Sequence, residues 1–160
     1  MKEMCDLAQI QQILQEKQQL LLLFEEETQQ MLTCPSALLA EKMEERQRLI
    51  GLIDGLDQRL ETLTGQSGEE KAIRQAISGQ CSCADLPQSM ETLYNESVKN
   101  RTVLSRLRES DLQAALRLRA EQEMVLEQIK SANQRSGAKA ARFYAASGSV
   151  KSKGSRLGNA

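Results

Sequence analysis

Side chains that could carry out covalent chemistry are scarce in this sequence. Histidine, the commonest general base and metal ligand, is absent from all 160 residues. The four cysteines, Cys5, Cys34, Cys81 and Cys83, include one C-x-C pair, but their spacing is not that of a zinc ribbon or a zinc finger. We therefore expect ordinary reduced thiols, with neither a metal site nor a cofactor.

The acidic clusters also argue against a catalytic site. Glu25 to Glu27 and Glu44–Glu45 lie in helix-forming sequence, where consecutive residues point in different directions, so they are expected to be solvated helix faces. The sequence has no phosphate-binding loop, dinucleotide-binding turn, zinc-protease helix or nucleophile elbow. These features predict a binding protein and not an enzyme.

The composition predicts an all-α protein of one domain. Tryptophan is absent and the chain has only two Phe and two Tyr, so Leu, Ile, Met and Ala must build the core. These residues suit helix packing better than a sheet. Because the chain has no apolar run of membrane-spanning length and no basic-then-apolar leader, we expect a soluble, cytoplasmic protein without membrane insertion.

The longest predicted helix organises the rest of the chain. Residues 88–133 contain neither Gly nor Pro and are rich in helix formers. Their apolar residues recur at three- and four-residue steps and need cover from other helices. Ser97, Arg101, Asp111 and Gln122 fall on or near this seam, which predicts partner surfaces that are partly polar or incompletely covered.

The other helices are expected to supply that cover. The predicted helices span about residues 3–32, 35–63, 68–78 and 87–133. The run from Leu20 to Phe24 is apolar on more than one face, which predicts contact with two neighbours. Gly51 and Gly55 weaken the second helix and predict close approach of another helix there, while Ser67 and Glu70 form a capping-box pattern. The expected fold is an elongated antiparallel helical bundle, or coiled coil, of three long helices and one short helix.

The last part of the chain differs in composition. Residues 134–160 are rich in Ser, Gly, Ala, Lys and Arg, and are expected to form a flexible, disordered basic tail. Within it, Phe143 and Tyr144 predict a short recognition motif that folds on binding; the alternative is a continuation of the long helix. Six of the 21 basic side chains and none of the 22 acidic ones lie in residues 131–160, so an acidic body carries a basic tail.

Two segments resemble the FlgN-type chaperones of the bacterial flagellar export system. In the second helix, ALLAEKMEERQRLIGLIDGLDQRLETL, Arg46 and Arg48 stand before Leu49 and Ile50, as basic residues stand before a Leu-Leu or Leu-Ile pair in that family. Family members also end in an aromatic residue, Tyr, small residues, Gly and a polar basic segment, which is similar to the sequence from Phe143 onward. Here Ala145 takes the place of the Gly that often follows the Tyr. The overall length and the Gln- and Glu-rich first helix are also similar.

The resemblance implies a chaperone that binds hook-filament junction proteins, prevents their premature self-association and delivers them to the type III export gate. On this hypothesis the binding residues lie on the long helix and in the tail: Leu104, Leu107, Leu112, Leu118, Val125, Ile129, Arg142, Phe143 and Tyr144. Taken one by one, the apolar members also suit an ordinary bundle core. Two rival functions are a structural coiled-coil adaptor, for example a homodimer through the long helix, and a nucleic-acid binder; the acidic body disfavours the second.

Overall fold

The computed structural model describes the backbone of residues 2–157 and the side chains of residues 6–146. Within these residues the protein is helical and has no strand, which confirms the predicted all-α bundle. The α-helices are α1 (Lys2–Thr33), α2 (Leu39–Gln66), α3 (Glu70–Ser78) and α4 (Glu91–Leu157). Short 3-10 helices precede α2 and α4 and interrupt the loop after α3, at Ser36–Leu38, Gln88–Met90 and Cys83–Asp85.

The chain divides into two units, residues 1–117 and residues 118–160. The first unit contains α1, α2, α3 and the part of α4 that ends at Arg117. The second unit contains the rest of α4 and no other helix of the described backbone.

In the first unit, α1 and α2 are antiparallel. Lys17 Nζ lies 2.6 Å from Asp57 Oδ1, and Lys42 Nζ lies 3.1 Å from Glu27 Oε2. Residues early in α1 therefore face residues late in α2, as expected for a hairpin with a short connection. Lys17 interrupts the apolar seam of α1, and its ion pair with Asp57 explains how that position is accommodated.

The first part of α4 runs parallel to α1. Asn100 Nδ2 donates to the carbonyl oxygen of Leu14 at 3.1 Å, and Arg117 Nη1 donates to that of Met31 at 2.5 Å. The residue numbers rise together along both helices, so α1, α2 and α4 form an up-down-up bundle. The short helix α3 lies at the end where α2 finishes and α4 begins.

The main hydrophobic core lies at that end of the bundle. Its buried members come from all four helices and the turn before α4: Ile10, Ile13, Leu14, Leu56, Leu60, Ile73, Ala76, Met90 and Leu93. A second, smaller cluster contains Leu21, Val103 and Leu107, with Phe24 and Ile53 packed against it. Burial of these aliphatic side chains supplies most of the stabilisation of the bundle.

Polar residues also lie inside the bundle, as the imperfect seam of α4 predicted. Ser97, Asn100 and Ser110 of α4 are buried, and so is Thr28 of α1. Gln29 Nε2 donates to Ser110 Oγ at 2.6 Å, and Thr28 Oγ1 donates to the Phe24 carbonyl oxygen at 2.7 Å. The Gln29–Ser110 bond joins α1 to α4 and restricts the register in which these two helices can pack.

The run from Leu20 to Phe24 contacts two neighbours, as predicted: Leu21 and Phe24 pack with Ile53 of α2 and with Val103 and Leu107 of α4, while Leu22 and Leu23 are exposed. Two other local predictions are wrong. Gly51 and Gly55 mark no close approach, since a Cβ atom added at either would meet nothing within 4 Å.

The second concerns Ser67. Its Oγ accepts a hydrogen bond from the amide of Glu69 at 3.2 Å, and the residue before α3 has no side-chain cap bond. The carboxylate of Glu70 instead accepts a bond from Arg74 Nε at 2.9 Å, one helical turn further along. Arg74 also bonds Glu61, and that hydrogen bond holds the pKa of Glu61 below its ordinary value.

The predicted helix boundary at Asn133 is also absent. In the structure α4 continues through Gly137 to Leu157, so the described part of residues 134–160 is helical. The Ala-rich segment 138–146 explains this, because Ala has the highest helix propensity and no Pro follows Pro87 in the chain. That residues 134–160 are flexible in the absence of a partner stays a prediction.

No helix of the described chain combines the length and apolarity needed to cross a membrane.

We predict opposite effects on stability for two Gly→Ala substitutions. Gly79, after α3, has a φ of 69°, and an added Cβ would lie 2.3 Å from the guanidinium of Arg101, which donates to the Ile77 carbonyl oxygen. Gly79→Ala should therefore lower the free energy of unfolding by about 1–2 kcal/mol. Gly51→Ala, in open space on α2, should raise it by about 0.5–1 kcal/mol. Urea denaturation followed by circular dichroism measures both, and equal effects would contradict this explanation of Gly79.

Candidate partner-binding surfaces

A groove in the first unit lies between α1, α2 and α4 and has a volume of about 340 Å³. Its apolar lining comes from all three helices: Leu21, Phe24, Ile50, Ile53, Leu104 and Leu107. Leu21 and Leu107 belong to the second hydrophobic cluster, whereas Ile50 and Leu104 are exposed. The groove is therefore a place where the cover of the core is incomplete, and it has the size to receive one or two apolar side chains of a partner. We call it the α1–α2–α4 groove.

Three charged residues, Asp54, Arg108 and Asp111, also line this groove. Arg46 of α2 contributes from beside it: its guanidinium carbon lies 4.6 Å from the centroid of the Phe24 ring, and its Nη2 bonds the carboxylate of Asp111. One cation thus joins residues of α1, α2 and α4. The contact with its positive charge orients the ring, since the face of an aromatic ring attracts cations.

Arg48, the other basic residue of the family-like pattern, has a different environment. Its side chain is 58% exposed, against 13% for Arg46, and it pairs with Glu45 on the same helix at 2.6 Å. The hydrogen bond from Arg48 holds the pKa of Glu45 below its ordinary value. Arg46 therefore supports the groove, whereas Arg48 makes only a local surface pair.

In the second unit, the described side chains of α4 are largely exposed. From residue 122 to residue 130 every side chain is exposed, including four large apolar ones: Met124, Val125, Leu126 and Ile129. Phe143 and Tyr144 follow, 68% and 74% exposed, with their rings edge to face at a centroid distance of 6.0 Å. Apolar side chains in such a row are typical of a surface that binds another molecule.

The predicted binding residues do not form one surface. Leu104 and Leu107 line the groove, but Leu107 is buried and forms part of its floor. Leu112 is exposed and does not line the groove. Grouping them on one seam was wrong because an α-helix turns by about 100° per residue, so that Leu112 lies far around the helix from Leu107.

The remaining predicted residues lie in the second unit. Leu118 is half-buried, while Val125, Ile129, Arg142, Phe143 and Tyr144 are exposed. The expectation that the aromatic pair is available to a partner agrees with this exposure. Its backbone is already helical, however, which corresponds to the alternative of a continued long helix and not to a motif without structure.

Sequence reasoning missed the contributions of α1 and α2 to the groove. Phe24, Ile50 and Ile53 line it, although the candidate residues were sought only on the long helix and in the tail. A signal was present in the run from Leu20 to Phe24, which carries more apolar residues than one helix neighbour can cover. We assigned these additional apolar residues to contact with a second helix, whereas Leu21 and Phe24 also line an open groove.

The cysteines occupy ordinary positions. Cys34, Cys81 and Cys83 are half-buried free thiols, and the Cys5 side chain lies outside the described residues. Cys81 Sγ lies 3.5 Å from the Gln75 carbonyl oxygen, and Cys34 Sγ lies 3.8 Å from Arg117 Nη1. Among the described side chains, no group of three or more Cys, Asp or Glu residues is placed to hold a metal ion.

No family model, curated protein or solved structure matches this chain. The resemblance to FlgN-type chaperones therefore stays a prediction that rests on the residues named above. The two surfaces, one in each unit, are the observations from which a function can be proposed.

The contacts of Arg46 predict a specific cost for its removal. Arg46→Met keeps most of the aliphatic stem but removes the charge that contacts Phe24 and Asp111, and should lower the free energy of unfolding by about 1–2 kcal/mol. Arg48→Met is the matched control on the same helix and should change it by less than about 0.5 kcal/mol, because exposed pairs contribute little. Urea denaturation distinguishes the two. Equal losses of unfolding free energy in the two variants would show that the contacts of Arg46 with Phe24 and Asp111 add no stability beyond that of an exposed pair.

Proposed function

We propose that this protein is a cytosolic export chaperone of the FlgN type, which binds hook-filament junction proteins and delivers them to the type III export gate. The observation that carries the proposal is the row of large apolar side chains on α4 that stays exposed between residues 124 and 144. A chaperone needs such a surface, because it must cover the apolar face of a segment that would otherwise self-associate. The proposed partner segment is an amphipathic helix, which would lie along α4 as an added bundle helix.

The magnitudes favour reversible binding. Val125, Ile129, Leu126 and Phe143 are each half exposed or more. Burying the exposed half of four such side chains contributes about 3–6 kcal/mol in all, at about 1.5–3 kcal/mol for each complete burial. A micromolar complex needs about 8 kcal/mol after the entropic cost of association is met. The row alone is therefore too small for tight binding, and further contacts with the partner are needed.

The α1–α2–α4 groove offers such contacts in the first unit. An apolar side chain of the partner could replace the solvent next to Ile50 and Leu104, with Leu107 below it. Asp54 is a carboxylate at the same groove and suits a Lys or Arg of the partner. A partner that used both surfaces would bind more tightly than either surface allows, yet each contact would remain weak enough for release.

The aromatic pair and Arg142 suit the second task of such a protein, recognition by the export gate or by the substrate itself. Tyr and Arg are among the residue types most enriched at the positions that dominate binding energies, and Phe is enriched at interfaces generally. Phe143 and Tyr144 are both largely exposed, so a partner could bury most of each ring.

We predict that Tyr144→Ala weakens binding to the helical terminal segment of a hook-filament junction protein about 5- to 30-fold, as for loss of an aromatic anchor. Calorimetric titration of the full chain measures this affinity, and the parent complex should show the negative heat-capacity change of apolar burial. The melting temperature should not change, because the exposed ring contributes little to folding. Leu52→Ala is the matched control, since Leu52 is exposed on α2 and does not line the groove.

An unrelated amphipathic helix serves as the specificity control in the same titration. Equal binding of both helices, or no binding of the junction-protein segment, would contradict the chaperone function. The adaptor function, in which α4 binds a second copy of the chain and no export substrate, would then be favoured by the spacing of its apolar residues.

A further inference from the structure

The second unit carries a regular pattern on one face of α4. From Leu118 to Phe143, steps of four and three residues alternate without a break. The eight positions are Leu118, Gln122, Val125, Ile129, Ala132, Ser136, Lys139 and Phe143, and all except the half-buried Leu118 are exposed. We call these positions the heptad face. Such spacing places the residues along one side of a helix and is typical of helices that pair as a coiled coil.

The charges beside this face are separated along the helix. All acidic side chains of the segment precede Lys130, namely Glu121, Glu123 and Glu127. The basic side chains Lys130, Arg135, Lys139 and Arg142 follow them, and Arg119 is the one basic residue of the segment that precedes them. A helix with an acidic first half and a basic second half is complementary to a copy of itself that runs in the opposite direction.

We propose that two copies of this protein pair through the heptad face of α4, with the two helices antiparallel. The alternating steps define one register in which every position of the face meets another position of the face. In that register Leu118 lies opposite Phe143 of the second copy, and Ile129 lies opposite Ala132. By the two-fold symmetry of such a pair, each of these layers occurs twice.

Side-chain size supports this direction. The antiparallel register places large residues opposite small ones at the centre, Ile129 against Ala132 and Val125 against Ser136, which lets the helices approach evenly. A parallel pair in register would instead place Lys139 against Lys139 within the seam, where two like charges repel each other. It would also place Ser136 against Ser136 and leave the layer poorly filled.

The flanking charges support the same direction. Glu121 and Arg142 occupy the position just before a seam residue, on the same edge of the face, and in the antiparallel register each faces the other on the second copy. In a parallel pair these two residues would lie far apart. The pairing therefore contains two symmetry-related Glu121–Arg142 contacts that only the antiparallel arrangement provides.

The interface is expected to be weak, because Gln122, Ala132, Ser136 and Lys139 supply half of the seam with small or polar side chains. A small, partly polar contact of this kind predicts a dissociation constant on the order of 10–100 μM. This inference does not depend on the proposed chaperone function. If both hold, a partner helix and the second copy compete for the same face of α4.

Sedimentation equilibrium of the full chain tests the pairing, with a reducing agent present to keep the cysteines as thiols and concentrations from about 5 to 500 μM that bracket the expected constant. The parent should change from monomer to dimer over this range, and Ile129→Asp should weaken dimerisation at least about 10-fold. Met124→Asp is the matched control, because Met124 is 56% exposed on the same helix but lies outside the heptad face. A monomeric parent, or equal effects of the two variants, would overturn the proposal.

Charge reversal tests the direction of the helices. Arg142→Glu should weaken the dimer about 3- to 10-fold, since it replaces two attractive contacts by two repulsive ones, and adding Glu121→Arg should restore the affinity. Lys130→Glu makes the same change in net charge away from the seam and should have a smaller effect. Failure of the double variant to recover, or equal effects of Lys130→Glu and Arg142→Glu, would overturn the antiparallel arrangement.

Discussion

The packing of α4 against α1 and α2 is the interaction on which the folded structure depends. Between Met90 and Ala114 one series of buried residues recurs at three- and four-residue steps. It is apolar at Met90, Leu93, Val103, Leu107 and Ala114 and polar at Ser97, Asn100 and Ser110, and Ala114 is the last buried residue among those described. Val125 and Ile129, further along α4, are also large aliphatic residues but are exposed. Because a helix gains most of its stability from burial of its apolar face, the two parts of α4 differ in what supports them. The first part is stabilised by burial against α1 and α2, whereas the described side chains of the second part are largely exposed.

Polar contacts determine how the covered part of α4 is placed. Arg117 donates to main-chain carbonyl groups of Met31 and Cys34, at the end of α1 where the last carbonyl groups have no helical partner. A positive charge there is also favourable for the helix dipole. With Asn100 bonded to Leu14 near the other end of the bundle, these contacts fix the alignment of the two parallel helices. The α1–α2–α4 groove lies between these two points, so the alignment that they fix determines its shape.

The helices could be predicted from the sequence to a large extent, because their apolar residues follow one clear period. In α1 the spacing of Leu7, Ile10, Leu14, Leu21, Phe24, Thr28 and Met31 indicates one seam, and all of these are buried except the half-buried Leu7 and Phe24. In α2 the apolar pattern is a poorer guide to burial, since Leu38, Met43 and Ile50 are part of it and yet are exposed. A period shows which side of a helix is apolar, but not how far the neighbouring helices extend over it.

The candidate surfaces were harder to predict, since they form where apolar side chains are not covered by another helix. Leu104 and Leu107 have the same side chain and lie one turn apart, yet one is exposed and the other forms part of the core. Leu107 packs with Leu21, Phe24 and Ile53 of the other helices, whereas Leu104 is not part of that cluster. The end of α4 was missed for another reason: the Ser, Gly and basic residues after Asn133 suggested a flexible segment, whereas the alanines among them favour a helix.

Hydrogen–deuterium exchange of the full chain, alone and with a saturating hook-filament junction segment, tests the central claim that the exposed part of α4 is a partner-binding surface. Amides of residues 118–146 should exchange quickly in the free protein at low concentration and at least about 10-fold more slowly in the complex, because burial on the partner stabilises the helix. The loop at residues 79–87 should not change. If the segment binds and residues 118–146 show no added protection, the partner lies elsewhere and the claim is wrong.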